Sequence, residues 1–119
     1  MKEFQLENLL LILNHFYFLI YEHYVVKDIT IGLRSYPSVI FKNHQSGIMV
    51  QVCGSDLGCE CNNYEIYIIK RKLFSTKIIN VSKLMNDYEL WKDKEKTIPN
   101  YSDFIQEKLL FVIRGEKWL

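Results

Sequence analysis

Cys53, Cys59 and Cys61 crowd into the middle of the chain and come nearest, in type and spacing, to a metal site. A structural zinc site takes four converging ligands, usually in pairs two to four residues apart. Here Cys59 and Cys61 are separated by one residue, and a fourth ligand would have to come from remote His44, His15 or His23. The spacing fits zinc poorly, so the sequence predicts a strand thiol at Cys53, two loop thiols beyond it, and no metal or cofactor. A nucleophilic Cys or Ser would want a positioned base and an oxyanion hole. None of the three His stands beside a nucleophile in a recognisable turn, and the five Gly are too scattered to cradle phosphate. Asp56 and Glu60 share the cysteine loop, but nothing marks them as an acid and base pair. The expectation is a protein that binds rather than catalyses.

Two further groups could make contacts. Tyr64 and Tyr67 lie near Lys70, Arg71, Lys72 and Lys77, an aromatic and basic combination on which single-stranded nucleic acid could stack. Lysines at a strand end also block edge-to-edge pairing. Fifteen Lys and Arg against fourteen Asp and Glu leave a net charge of +1, which gives no push toward nucleic acid or an anionic membrane. Neither is an expected partner. Asp56, Glu60, Tyr64 and Tyr67 are therefore read as contacts for another protein.

Elements must position these residues. With 119 residues, 49% of them hydrophobic and 24% charged, the chain can fill the core of one domain spanning residues 1–119. Residues 3–22 read as one long helix with Leu6, Leu9, Leu13, Phe16, Tyr17 and Ile20 on its core side. Phe4, Leu11 and Phe18 recur every seven residues within the polar arc. They form a seam that either another part of the chain covers or a second copy does, giving a homodimer. The apolar runs in this segment are short of the ~20 residues that span a bilayer, and no cleavage site for a signal peptide follows. Three cysteines, an odd number, suit reduced thiols and a cytoplasmic location.

A first strand is expected between His23 and Leu33, where Lys27, Ile29, Ile31 and Leu33 alternate with Asp28, Thr30 and Gly32. Three more follow at Ser38–Lys42, Ile48–Cys53 and Tyr64–Lys70, rich in β-branched and aromatic residues and separated by polar loops. Gly47 is available for a left-handed hairpin position. The ten residues 54–63 exceed what a tight hairpin requires, which makes them a candidate functional loop. Asn80 or Ser82 can cap a short helix. A last helix after Pro99 buries Ile105, Leu109 and Val112 and stops at Gly115. The fold class is α+β: a mainly antiparallel sheet of about four strands with the N- and C-terminal helices on one face.

The order of these pieces resembles small uncharacterised bacterial α+β proteins. The shared pattern is a leading helix running into Phe18–Tyr24, the strand Gly47–Val52, a Tyr-x-Ile-Tyr-Ile strand at Tyr64–Ile68, and a closing Leu109–Trp118 segment. Some of those proteins are similar to immunity proteins that neutralise bacterial toxins. The resemblance implies a protein interface with no catalytic group, and a toxin as partner.

Overall fold

The computed structural model describes residues 1–58 and 63–119. In chain order the elements are α1 (Glu3–His15), α2 (Phe18–Tyr21), β1 (Tyr24–Thr30), β2 (Ser38–Asn43), β3 (Ile48–Gly54), β4 (Tyr64–Arg71), β5 (Thr76–Asn80), α3 (Val81–Met85), α4 (Ile98–Lys108) and α5 (Leu110–Ile113). The strands form one antiparallel sheet in the order β1-β2-β3-β4-β5. The α+β class holds, with five strands in place of about four. The fifth, Thr76–Asn80, has adjacent Ile78 and Ile79 and lacks the alternation that marks a half-buried strand. It forms because a short loop returns it along β4, and Ile79 pairs with Ile68.

One side of the sheet is the core side. Cross-strand partners share a face, and Phe41, Val50 and Ile68 pair in sequence across β2, β3 and β4. All three are buried, together with Leu9, Ile12, Phe16 and Leu19 from the N-terminal helices and Tyr101, Phe104, Ile105 and Val112 from the C-terminal ones. Phe16 stacks on Phe41 with ring centroids 6.0 Å apart. The Tyr101 hydroxyl donates to the Tyr64 carbonyl at 3.0 Å, and the Ser102 hydroxyl donates to the His15 carbonyl at 2.6 Å. These bonds fix α4 to β4 and to the end of α1.

The N-terminal helix differs from its sequence reading in two ways. It breaks at Phe16 and Tyr17 before α2. It also faces the core with Gln5, Leu9, Ile12, Phe16 and Leu19, whereas Leu6, Tyr17 and Ile20 are exposed. The cause is Gln5. Its amide donates to the carbonyls of Gly32 (2.7 Å) and Ser35 (3.0 Å), and its oxygen accepts from the Lys2 N–H (2.9 Å). A polar residue with all these bonds satisfied can be buried, and it turns the helix away from the face that hydrophobicity alone selects.

The ends follow familiar chemistry. Asn80 caps α3 by accepting from the Lys83 N–H. Thr97 caps α4, with Pro99 in its first turn, so this helix starts slightly before Asn100. Gly47 takes φ +75° in the β2–β3 hairpin and Gly115 takes φ +72° beyond α5. There the Gly115 N–H reaches the Val112 carbonyl and the Glu116 N–H reaches Phe111, the paired closure of a glycine-terminated helix.

Candidate protein-binding face

The side of the sheet opposite the core carries a contiguous set of side chains, met by helix α3 at the β5 edge, where Asn80 caps it and Ile78 lines a cleft with Lys83 and Leu84. Following the register, one row runs Val25, Lys42, Met49, Ile69, Ile78, and the next runs Asp28, Ile40, Gln51, Tyr67, Asn80. None of these residues joins the main core cluster. Met49 is only 6% exposed yet stands outside that cluster, in the middle strand between Lys42 and Ile69. Ile40 and Ile69 are half-buried, while Val25 and Ile78 at the two edges are exposed. Met49, Ile69 and Ile78 make this face apolar from β3 to β5, Lys42 stands between Met49 and Val25, and Asp28, Glu65 and Arg71 lie around them.

The structure separates the residues that the sequence grouped as contacts. Tyr67 lies on this open face and its hydroxyl donates to the Glu65 carboxylate. That bond first, then partial burial and the Glu65 charge, push the phenol up to about 12. Tyr64 points to the other side. It is buried, its ring meets Tyr36 edge-on at 5.6 Å, and burial holds its phenol well above the ordinary tyrosine range. Its hydroxyl has no hydrogen-bond partner among the described residues. Because Tyr64 begins β4, Lys70 and Arg71 end it and Lys72 follows, these aromatic and basic groups do not form one stacking surface.

Asp56 is exposed and bridges to Ser35. The base of its loop is held against the turn before β2: the Tyr36 N–H donates to Ser55 (3.0 Å), Leu57 to Arg34 (2.8 Å) and Ser55 to Asn63 (2.9 Å). Gly54 makes this crossing possible. A Cβ there would collide with the Tyr36 carbonyl and lie 2.7 Å from the Pro37 oxygen. Glu60, Cys59 and Cys61 lie outside the described residues. Cys53 sits on the open face opposite Glu65, and burial, followed by that carboxylate's charge, raises its thiol. A raised thiol is a poor nucleophile and metal ligand. His44 occupies the β2–β3 turn, at the other end of the sheet from Cys53. Among the described residues no three His, Cys, Asp or Glu side chains converge.

The heptad seam is partly occupied within the chain. Phe4 is half-buried and meets Tyr36 edge-on at 5.7 Å, and half-buried Phe18 lies against Phe16 at 6.0 Å. Leu11, 37% exposed, lines a cleft of about 390 Å³ with Tyr64 and Pro99. The freer apolar stripe of the helix is Leu6, Leu10, Tyr17 and Tyr21, each 46% to 75% exposed. It lies one residue on from the buried stripe, and the sequence reading missed it by assigning Leu6 and Tyr17 to the core. The open sheet face was legible only in part, since its rows are set by register between strands and register is invisible in any one strand.

No helix is long and apolar enough to cross a membrane among the described residues. In comparisons with known proteins the chain matches no protein-family model, no curated protein and no solved structure at a significant level.

Proposed function

We propose that the protein is a non-enzymatic binding module that engages another protein through the open face of its sheet. The observation that carries this reading is the apolar run Met49, Ile69 and Ile78, which is continuous across β3, β4 and β5 outside the core cluster. An apolar centre containing Met and Tyr, with charges of both signs at its rim, has the anatomy of a protein interface. Mixed charge argues against nucleic acid, which selects a uniformly basic surface. The immunity-type inhibitor of a bacterial toxin is the specific form that the sequence resemblance suggests, with Tyr67 among the contacts on that face. Such an inhibitor works by blocking a surface and needs no reacting group.

The test is a co-purified partner under reversible cross-linking, with purified variants then compared for affinity. Ile69→Glu buries a charge in the proposed contact and is expected to weaken binding at least 100-fold. Leu10→Glu, on the helix, is expected to leave it unchanged. A partner retained by Ile69→Glu and lost by Leu10→Glu would overturn the assignment.

A second reading, a homodimer, is favoured by the exposed stripe Leu6, Leu10, Tyr17 and Tyr21. Its spacing of four, seven and four residues keeps these side chains on one side of α1 and α2, where a second copy could cover them. Sedimentation equilibrium decides: a dimer that Leu10→Glu dissociates supports it, and a monomer at 100 μM or so, ample for a stable dimer, removes it.

A further inference from the structure

The overall charge balance conceals one strongly polarised element. The β4–β5 hairpin carries Lys70, Arg71, Lys72 and Lys77 and has no acidic residue between Ile66 and Asn80. At its tip Leu73 and Phe74 are 89% and 95% exposed. The Lys72 N–H donates to the Ser75 carbonyl at 2.7 Å, so the turn that presents the two apolar side chains is closed by its own backbone. None of the four cations takes part in an ion pair among the described residues. Lys70 and Lys77 are cross-strand partners, and the charge of Lys72, with that of Lys70 behind it, holds the Lys77 ammonium below the usual lysine range. Like charges gathered without counter-charges are costly in the free protein and are relieved by an anionic surface.

We propose that this hairpin tip is a docking site for an anionic lipid bilayer, with Leu73 and Phe74 entering the interface and the four cations facing the headgroups. Adjacent apolar side chains on a convex tip with lysines directly behind them suit shallow insertion. Long lysine stems reach from that depth back to the phosphates. The other anionic occupants fit less well. Nucleic acid would use the cations and find one aromatic ring, leaving Leu73 without a role, and an acidic protein would need a pocket shaped to a protruding Leu-Phe pair. This docking does not rest on the sheet-face reading: apart from Arg71, which borders both surfaces, the tip residues lie past the last strand pair Arg71–Thr76, so a partner on the open face and a bilayer at the hairpin could be held together.

Vesicle co-sedimentation of the full chain tests it, using phosphatidylcholine with and without a third of phosphatidylglycerol. Binding is expected on the anionic vesicles and at least tenfold weaker on the neutral ones. Each cation near an anionic surface contributes about a fivefold factor, so Lys72→Gln with Lys77→Gln is expected to lower partitioning about 25-fold. Leu73→Ser with Phe74→Ser is expected to lower it about tenfold or more through lost apolar transfer. These side chains are exposed, so circular dichroism and Tm should remain those of the parent. Failure to bind anionic vesicles at low salt overturns the proposal, as does equal binding to neutral ones. Binding unaffected by the Leu73 and Phe74 changes overturns insertion. A single-stranded oligonucleotide bound more tightly than vesicles, and still bound by the Ser variant, reassigns the cations to phosphate recognition.

Discussion

The Tyr24 hydroxyl donates a 2.7 Å hydrogen bond to the Ile113 carbonyl, joining the first residue of the first strand to the last residue of the last helix. Both groups are buried. The phenol sits well above the ordinary tyrosine range, chiefly from burial, with the Glu22 charge adding to it. Tyr24→Phe would keep the ring and strand the Ile113 oxygen without its donor, which costs about 1–3 kcal/mol. Urea denaturation should show the midpoint falling at unchanged slope. A midpoint equal to the parent's would mean that this bond is replaced by water.

The tyrosines also set an alkaline limit. Tyr67 and Tyr101 are pushed up to about 12, the first mainly by its bond to Glu65 and the second mainly by burial. A folded-state pKa above the unfolded one favours the protonated form in the fold. Their contribution is complete below about pH 10, where the unfolded phenols begin to ionise, and is lost as pH rises toward 12. Stability measured in urea is expected to fall steadily across that window, and Tyr67→Phe should flatten the slope. A slope unchanged by Tyr67→Phe would show that Glu65 does not hold the phenol.

At the same corner Arg114 reaches Glu22 through two bonds of 3.0 Å, which hold the Glu22 carboxyl below the usual range despite an opposing burial effect. A lowered carboxylate contributes above its unfolded pKa and loses that contribution as pH falls. Glu22→Gln is therefore expected to lower Tm slightly at pH 7, with the difference beginning to shrink as pH falls through the unfolded carboxylate range and vanishing below the lowered folded-state pKa. Half-molar salt should shrink the difference. A Tm deficit that persists at low pH would point to packing as the cause.

His23 links this corner to β1 at φ +69°, the only non-glycine residue with positive φ among those described. A left-handed backbone costs a side-chain-bearing residue roughly 1–2 kcal/mol, and glycine escapes that cost while losing some in unfolded-state entropy. His23→Gly is expected to be neutral or stabilising by up to about 1 kcal/mol. The β-branched His23→Val should destabilise by about 1–2 kcal/mol. Equal stabilities for the two variants would rule out backbone strain at this position.

Much of the architecture was legible because four of the strands and several of the turn and cap positions announce themselves locally. Val39, Phe41, Val50 and Val52 alternate, Asn80 precedes an apolar turn, and Gly47 and Gly115 stand where positive φ is needed. The rest depends on partners distant in sequence. The strand Thr76–Asn80 exists through pairing with β4, and Ser102 is buried because its hydroxyl reaches the His15 carbonyl. Tyr64 and Tyr67 look alike in the sequence, three positions apart, yet odd spacing in a strand sends them to opposite faces. The candidate site shares this limit: its rows are assembled by register across five strands.

Gln5 shows how one polar residue sets the surface that helix α1 presents. Its three hydrogen bonds hold the helix start against Gly32 and Ser35, which places Leu9 and Ile12 in the core and leaves Leu6 and Leu10 outside. Gln5→Leu offers similar volume and more apolar surface, so hydrophobicity alone would forecast a gain. The bonds forecast the reverse: the Gly32 and Ser35 carbonyls lose their donor, and a loss of about 2–3 kcal/mol is expected. Faster amide exchange should accompany it in the first turn of α1, near Phe4 and Leu6, with β3 and β4 unaffected. If the variant were as stable as the parent, burial of Gln5 would be incidental, and the orientation of the exposed Leu6–Leu10 stripe would need another cause.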